Sequence, residues 1–235
     1  VNDIAMCGAI PKFISLSFII EEGLPMADFW EILLSIKKAA DYAGVKVVTG
    51  DTKVVERGKG DKIFINTSGI GEVHLEAEIA TSRVKSGDTI IISGPFATHG
   101  MAIMSVREGL EFETSILSDT RAFNHDIKKL LDQFGSKIHL LKDPTRGGIA
   151  TILNEIARDT KLGINIHQKS FVVQEEVLNA CELLGLDPLY VANEGIFLAI
   201  VEDQIANQAL TLLKSMEYCK DAFIIGEVTS EHSSQ

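Results

Sequence analysis

The stretch Val47-Val48-Thr49-Gly50-Asp51-Thr52-Lys53-Val54-Val55 sets a short polar segment between two pairs of valines. The valine pairs are β-branched and predict buried strand on either side of the polar residues. Asp51 can bind a divalent cation through hard carboxylate oxygens, Thr52 offers a hydroxyl group, and Lys53 carries a mobile cation suited to phosphate. Together they would suit a metal–triphosphate site. The alternative is a polar strand end with an ordinary surface ion pair, and this stretch alone leaves both open.

The composition is that of an ordinary soluble protein. Of the 235 residues, 46% are hydrophobic and 23% are charged, enough for one large domain or two modest ones. The formal net charge of −11 argues against a strongly basic face, so we expect no nucleic-acid partner. The apolar runs fall short of the roughly 18 residues of a membrane span, so we expect no membrane partner. Cys7, Cys181 and Cys219 show no C-x-x-C spacing, which favours free thiols in a cytoplasmic protein.

The first 80 residues predict a sheet with a helix on one face, as in an α+β sandwich. Ala27 to Tyr42 has apolar residues near helical spacing, so it predicts an amphipathic helix with Trp30 in the core. The predicted strands around this helix are Lys12 to Ile20, Val45 to Thr49 and Lys62 to Gly71. The mixed, polar segment from Val73 to Lys85 indicates a domain boundary, and we divide the chain into residues 1–80 and 81–235.

The second part of the chain predicts strands and helices in alternation. The predicted strands are Thr89 to Ser93, Ile138 to Leu141, Ile164 to His167, Phe171 to Val173, Ile196 to Val201 and Ala222 to Val228. The predicted helices are Met101 to Glu108, Asp126 to Phe134, Ile149 to Asp159, Gln174 to Leu184 and Gln204 to Met216. The loop before Met101 is glycine-rich and contains His99. Such a loop can bring backbone N–H groups to a phosphate, although a plain strand-to-helix turn accounts for the same residues.

A second candidate loop is Asp143-Pro144-Thr145-Arg146-Gly147-Gly148. Its proline makes the turn rigid, and its paired glycines leave room for a ligand or for close packing. Asp143 and Arg146 could instead form a structural ion pair.

Five motifs stand in a fixed order along the chain. They are Asn2-Asp3-Ile4-Ala5 with Gly8-Ala9, Glu21-Glu22-Gly23-Leu24-Pro25, Thr49-Gly50-Asp51-Thr52-Lys53-Val54-Val55, Asp143-Pro144-Thr145-Arg146-Gly147-Gly148 and Asn193-Glu194-Gly195. Together they resemble the HypE family of hydrogenase maturation proteins, the carbamoyl dehydratases, over essentially the whole chain. That family belongs to the ATP-binding superfamily of aminoimidazole ribonucleotide synthetase, selenophosphate synthetase and thiamine-monophosphate kinase. The resemblance implies an α+β fold of two domains: an ATP-binding, dimer-forming N-terminal sheet domain and a C-terminal α/β sandwich domain.

The resemblance also implies an activity, cofactors and partners. In the family, the carbamoyltransferase HypF carbamoylates the cysteine of a C-terminal Pro-Arg-Ile-Cys tail. The HypE protein then uses ATP with Mg²⁺ to dehydrate the S-carboxamide to an S-cyanate. The cyanide passes to the HypC–HypD complex and becomes an iron ligand of nickel–iron hydrogenase. We therefore expect a homodimeric, ATP-dependent carbamoyl dehydratase.

Carried over residue by residue, the resemblance assigns roles to single positions. Asp3, Asp51 and Asp143 are the metal candidates. Lys53 and Glu194 are the catalytic candidates: Lys53 to contact phosphate or transfer a proton, and Glu194 to act as general base for the amide N–H. The candidates for contacting nucleotide, phosphate or tail are Asn2, Asp51, Thr52, His99, Thr145 and Arg146.

Two parts of the family pattern do not occur in this sequence. These are the N-terminal glycine-rich segment with its early acidic strand, which carries part of the ATP site, and the cysteine tail, since the chain ends at Gln235. Because it also begins at Val1 inside a predicted helix, we expect a fragment that is inactive alone. Two alternatives remain open. One is a kinase or ligase of the same superfamily acting on a free small molecule, and the other is a non-catalytic module that docks on maturation partners.

Overall fold

The first sheet has three strands, and the Gly-Asp-Thr-Lys motif lies on one of its two edge strands. The computed structural model describes residues 1–107 and 116–232. Its first elements are helix α1 (Asn2–Met6), strand β1 (Ala9–Glu21), helix α2 (Met26–Ala43), strand β2 (Lys46–Val55) and strand β3 (Ile63–Val73). Strand β1 lies in the middle, parallel to β2 and antiparallel to β3. The predicted order of strand, helix, strand and strand is confirmed.

Helix α2 packs against one face of this sheet. It ends where Gly44 adopts a left-handed φ of 70°, a conformation that glycine takes without a steric penalty. The ring of Phe29 meets that of Phe18 edge to face, with 5.4 Å between the centroids. The expectation that Trp30 belongs to the core is wrong, since its side chain is 62% exposed. Trp30 follows Phe29, and successive helical residues point about 100° apart, so it faces away from the sheet.

The opposite face of the first sheet is not covered by any residue that the structure describes. Phe13, Ile19, Phe64 and Ile70 on that face are between 44% and 70% exposed. Val47, Val48 and Val54 are exposed as well and Val55 is half-buried, so the prediction of a strand at both valine pairs is confirmed and the prediction of their burial is wrong. The cause is that β2 is an edge strand, with a neighbour on one side only.

The second sheet has five strands in the order β5-β7-β4-β8-β6, and each adjacent pair is antiparallel. Its strands are β4 (Thr89–Ile92), β5 (Ile138–Lys142), β6 (Gly163–Ile166), β7 (Leu198–Val201) and β8 (Phe223–Thr229). The helices are α3 (Thr98–Arg107), α4 (Asn124–Phe134), α5 (Gly148–Thr160), α6 (Glu175–Leu184) and α7 (Asp203–Lys214). The predicted helix from Met101 thus begins earlier, at Thr98, and its predicted last residue, Glu108, lies outside the described residues.

Helices cover both faces of the second sheet, because the central strand β4 has side chains that are buried on both faces. Successive side chains of a strand point to opposite faces. Ile90 and Ile92 accordingly pack in one apolar cluster with residues of α5 and α6. Ile91 packs in another cluster with residues of α4 and α7. This arrangement confirms the α+β fold with a C-terminal sandwich.

The predicted strand from Phe171 to Val173 is wrong. The residues follow a short 3₁₀ turn, Gln168–Ser170, and are not assigned to either sheet. The carbonyl of Val172 accepts a single hydrogen bond from Phe96 N, at 3.2 Å. The three side chains pack onto the core around β4. Their apolar character therefore reflects packing of a loop rather than strand pairing.

Helix α4 packs on the second sheet and is joined by hydrogen bonds to the end of α2. The side-chain amide of Asn124 donates to the carbonyl oxygen of Ala43 at 3.0 Å, and His125 Nε2 lies 2.9 Å from the carbonyl oxygen of Tyr42. Helix α1 adds Ala5 to the apolar cluster under α4. The division of the chain at residue 80 stays a prediction. Within residues 1–107 and 116–232, none of the helices has the length and apolar character that crossing a bilayer requires.

Candidate functional site

A cavity of about 750 Å³ opens between the first sheet, helix α2 and the loops that surround β5 and β7. Apolar side chains of β1, β2, β3 and α2 form one wall. The polar residues that line it are Asn2, Asp3, Thr67, Arg121, Asp143, Thr145, Arg146 and Glu194. Six of the residues that the sequence nominated are in this set, from three distant segments of the chain. The Asn-Asp, Asp-Pro-Thr-Arg and Asn-Glu-Gly motifs therefore converge at this cavity.

Helix α1 brings Asn2 and Asp3 to the cavity. The amide nitrogen of Asn2 donates to the carbonyl oxygen of Arg121 at 2.9 Å, and its Oδ1 accepts from Phe123 N at 3.2 Å. Asn2 therefore fixes the backbone of residues 121–123 in this structure. Asp3 lies in the first turn of α1, where a carboxylate is favourable beside free N–H groups.

The loop after β5 brings Asp143, Thr145 and Arg146. Thr145 N donates to the carbonyl oxygen of Asp143 at 2.9 Å, which makes the turn tight. A Cβ on Gly148 would lie 2.3 Å from the carbonyl oxygen of Leu189, so this glycine is required by close packing. Among the described ion pairs, none joins Asp143 to Arg146. Both side chains are thus available to a ligand in the cavity.

The turn that carries Glu194 is fixed on both sides. The side chain of Asn193 is fully buried: its Nδ2 donates to the carbonyl oxygen of Val191 at 2.8 Å, and its Oδ1 accepts from Ala97 N at 2.7 Å. A Cβ on Gly195 would lie 2.1 Å from the carbonyl oxygen of Asp119. The Asn-Glu-Gly motif is therefore a turn in which the outer residues pack and the middle one projects into the cavity.

Two carboxyl groups of the cavity, those of Glu194 and Asp143, have raised pKa values. Burial raises the pKa of Glu194, and the carboxylates of Asp143 and Asp3 raise it further. The nearby His99 opposes this shift in the pKa of Glu194. Burial also raises the pKa of Asp143, with Asp3 adding to the effect. Such a cluster takes up a cation or a proton readily, and perturbed carboxyls in a cleft are typical of functional sites.

The donor set fits magnesium that arrives with a nucleotide. Asp3 and Asp143 line the same cavity, and Asp3 raises the pKa of Asp143, as two converging carboxylates do. In phosphate sites Mg²⁺ is commonly held by one or two carboxylates together with phosphate oxygens. The part of the chain that the structure describes contains no group of three or more His, Cys, Asp or Glu that could hold a metal ion by itself.

Asp51, Thr52 and Lys53 do not line this cavity. Strand β2 is parallel to β1, and Asp51 lies opposite Ser17 while Lys53 lies opposite Ile19, on the uncovered face. Thr52 alternates to the side of α2. On β2 itself, Val47 is the last residue that lines the cavity, and Lys53 follows it by six residues. In one copy of the chain, Asp51 and Lys53 thus lie on the face of the sheet opposite to the cavity that Glu194 lines.

His99 is the second residue of α3 and also lies outside the lining of this cavity. Its Nδ1 lies 2.9 Å from Ser118 Oγ and 3.1 Å from Thr120 Oγ1. In this structure the imidazole therefore holds the segment around residue 119.

Sequence reasoning missed Asp119 and Arg121. Asp119 lines a second cavity of about 610 Å³, and Arg121 lines both cavities. One carboxylate oxygen of Asp119, Oδ1, is buried with no hydrogen-bond partner in the described residues, and burial raises the pKa of this group. The sequence offers only a polar run, Ser118-Asp119-Thr120-Arg121, with no motif to mark it.

Comparison with known proteins gives matches along nearly the whole chain. The family described as AIR synthase related protein matches with its N-terminal domain at residues 1–73 and its C-terminal domain at residues 85–235. Carbamoyl dehydratase HypE of Rhizobium leguminosarum bv. viciae is 46% identical over 231 residues, which are 98% of this chain and 66% of that protein. The chain thus spans just under two thirds of the length of this relative.

Two solved structures are similar in both sequence and fold. The crystal structure of a HypE–HypF complex contains a chain that is 49% identical with a TM-score of 0.96, covering 98% of this chain and 75% of that one. The crystal structure of HypE in complex with ATP is 43% identical with a TM-score of 0.95, covering 100% of this chain and 71% of that one.

Proposed function

Since the chain belongs to the AIR synthase related family and, within it, to the carbamoyl dehydratase HypE proteins, we propose that it serves hydrogenase maturation as an ATP-dependent dehydratase. Its substrate is an S-carboxamide on the C-terminal cysteine of the full-length protein, and its product is the S-cyanate that supplies cyanide ligands for nickel–iron hydrogenase. The observation that carries this proposal is the cavity in which Asp3, Asp143 and Glu194 converge.

The reaction needs a leaving group and a base. An amide oxygen leaves poorly, so the carboxamide oxygen first takes the γ-phosphoryl group of ATP, which forms ADP. The N–H protons are then lost, the C≡N bond forms, and the C–O bond breaks with release of phosphate. The products are S-cyanate, ADP, phosphate and one proton. The protein must therefore position phosphate, offset its charge and accept a proton.

Glu194 is the proposed general base. It projects into the cavity from a turn whose neighbours, Asn193 and Gly195, are fixed by packing. Its pKa is raised towards neutral pH. A general base is most effective when its pKa lies near the pH at which the enzyme works. Lys53 is the second proposed catalytic residue. It would either contact the phosphate or transfer a proton.

Asp3 and Asp143 are the proposed metal ligands at this cavity, with Asp51 as a third candidate. Magnesium bound there would offset charge on the phosphate oxygens. Thr145 and Arg146 are the proposed hydrogen-bond donors to phosphate or tail, which is supported by their position in the lining of the same cavity. Further candidate contacts are Asn2, Thr52 and His99.

We propose that the working unit is a homodimer. The uncovered face of the first sheet carries apolar side chains, including Phe13, Phe64 and Ile70, beside the polar Asp51. Exposed apolar surface of this kind marks interaction sites. In such a homodimer, Lys53 of one copy would join Glu194 of the other.

The proposed partners follow from the same assignment. The related HypE of known structure was crystallised with HypF, so we propose HypF as the carbamoyltransferase that loads the tail of this protein. The HypC–HypD complex is the proposed acceptor of the cyanide.

The test is mass spectrometry of the full-length gene product after incubation with the carbamoyltransferase, carbamoyl phosphate and ATP. We expect a carbamoyl adduct on a C-terminal cysteine that loses one water when ATP is added. Absence of the adduct, with ATP still hydrolysed, would favour a kinase or ligase acting on a small molecule. Partner binding without ATP turnover would favour a docking module.

A further inference from the structure

Arg121 is a nearly buried cation between the two cavities, and no sequence motif marks it. Its side chain is 12% exposed, and it forms an ion pair of 2.7 Å with Asp126. Its Nη2 lies 3.4 Å from Cys219 Sγ, and its guanidinium carbon lies 5.2 Å from the ring centroid of Tyr218. The remaining contact is the most informative: Nε donates to the carbonyl oxygen of Gly195 at 3.0 Å.

This last contact reaches the turn that carries Glu194. On the N-terminal side, Asn193 is fixed by hydrogen bonds of its buried side chain to residues 97, 144 and 191. On the C-terminal side, the Cα of Gly195 packs against Asp119, and its carbonyl oxygen accepts from Arg121. The orientation of the peptide after Gly195, one residue beyond Glu194, therefore depends on the guanidinium group.

We propose that Arg121 is a positioning residue for the proposed base Glu194, acting through the carbonyl of Gly195. The assignment rests on the proposed function of Glu194, since its effect on rate requires that this carboxylate accept a proton. Arginine suits the role because its planar group donates in several fixed directions at once, here to Gly195, Asp126 and Cys219. A lysine ammonium is a point charge and cannot reproduce this set.

The ion pair gives a matched control. Asp126→Asn breaks the charge pair but leaves the bond from Arg121 to Gly195. Arg121→Met with Asp126→Asn removes both and leaves no unpaired charge, which limits the structural cost. The comparison of the double variant with Asp126→Asn therefore removes the contact to Gly195, together with those to Cys219 and Tyr218, with no change of the ion pair between the two variants.

The first measurement is the single-turnover rate of water loss from the carbamoylated full-length protein, beside its affinity for ATP. We expect the double variant to lose about 100-fold in rate with unchanged ATP affinity, since a misplacement of about 1 Å can cost that much. Asp126→Asn should stay within a few-fold of wild type. Guanidinium ion at low, non-denaturing concentration should restore part of the lost rate, and sodium ion at equal ionic strength should not. Equal rates in the two variants, or a parallel loss of ATP affinity, would overturn the proposal.

The second measurement does not depend on activity. Hydrogen exchange of the backbone amides at residues 193–197 should be faster in the double variant than in Asp126→Asn. If wild type loses no water from its tail, the proposed function fails while this exchange measurement still decides the role of Arg121. Unchanged exchange would refute the positioning role in either case.

Discussion

Ser17 and Asp51 lie opposite each other on the parallel strands β1 and β2, so their side chains share the uncovered face of the first sheet. Leu16, one residue earlier, points to the other side and lines the cavity that contains Glu194. Within one copy of the chain, Asp51 and Glu194 therefore face different sides of the same sheet. We therefore propose that a site using both residues combines two copies of the chain.

Complementation between inactive variants tests this arrangement. We expect Lys53→Ala and Glu194→Gln each to lower the dehydration rate of the full-length protein by about 100-fold or more, as loss of an acid–base group does. When the two variants are unfolded together and refolded, mixed dimers contain one intact combination, so part of the activity should return. The measurement is water loss by mass spectrometry, with each variant refolded alone as the control. No gain on mixing would contradict a shared site.

Much of the fold follows from local patterns in the sequence, and the errors have physical causes. The run Thr89 to Ile92 is apolar on both faces and is a central strand. Val47-Val48 has the same composition but lies on an edge strand, and whether a strand is central depends on partners far along the chain. Phe171 to Val173 resembles a strand because a loop that packs on a core needs apolar side chains too.

The candidate site was predictable where residues act through side chains in motifs. Asp3, Asp143 and Glu194 come from segments separated by many residues, and the resemblance of their motifs to one family nominated all three. Arg121 could not be found in this way. Its contact is to a backbone carbonyl, and a carbonyl at Gly195 leaves no trace in the sequence.

Removal of the proposed metal ligands should weaken binding of magnesium–ATP. We expect Asp143→Asn in the full-length protein to lower the affinity about 10-fold or more, equivalent to about 1.4 kcal/mol, because a hard anionic ligand is lost. Asp3→Asn should act in the same direction. Titration calorimetry measures the effect. The control is Asp41→Asn, which removes a carboxylate that pairs with Lys37 on the exposed side of α2. Equal affinity in the Asp143 variant and this control would count against the metal assignment.

Gly195→Ala should destabilise the protein. The new Cβ would lie 2.1 Å from the carbonyl oxygen of Asp119, so one of the two segments must shift. Overpacking of this kind typically costs about 1–3 kcal/mol, and we expect the thermal midpoint to fall by about 5 °C. Gly94→Ala is the matched control, since its Cβ would be in ordinary contact with Ile196 at 3.5 Å. Similar midpoints for the two variants in a thermal melt would show that the turn can shift to accept the new Cβ without loss of stability.

Trp30 should report on the exposed side of α2. It is the only tryptophan in the chain, so intrinsic tryptophan fluorescence arises from this residue. Because its side chain is 62% exposed, we expect emission typical of tryptophan in water and strong quenching by iodide. The reference is free N-acetyltryptophanamide under the same conditions. Blue-shifted emission with weak quenching would mean that another surface covers this side of the helix in solution.

The pH dependence of stability should differ in sign between Glu194 and Glu21. Burial raises the pKa of Glu194 above its ordinary value of 4.5, so the folded state binds this proton more tightly than the unfolded state. The free energy of unfolding therefore falls as pH rises from 4.5 through the raised pKa. Glu194→Gln removes this loss. The difference between its thermal midpoint and that of wild type should therefore grow in favour of the variant across that pH window and stay constant above it.

Glu21 provides the opposite case on the same protein. Hydrogen bonds from the backbone of Gly58 and Lys62 lower its pKa below 4.5. The stabilisation is therefore present above pH 4.5 and is lost as pH falls through the lowered pKa. Glu21→Gln should thus lower the midpoint at neutral pH, with a difference that shrinks in acid. Thermal melts from about pH 3 to about pH 8 without nucleotide or magnesium measure both variants over the range in which carboxyls titrate. A pH-independent difference for Glu194→Gln would show that this carboxyl titrates alike in the folded and unfolded chain.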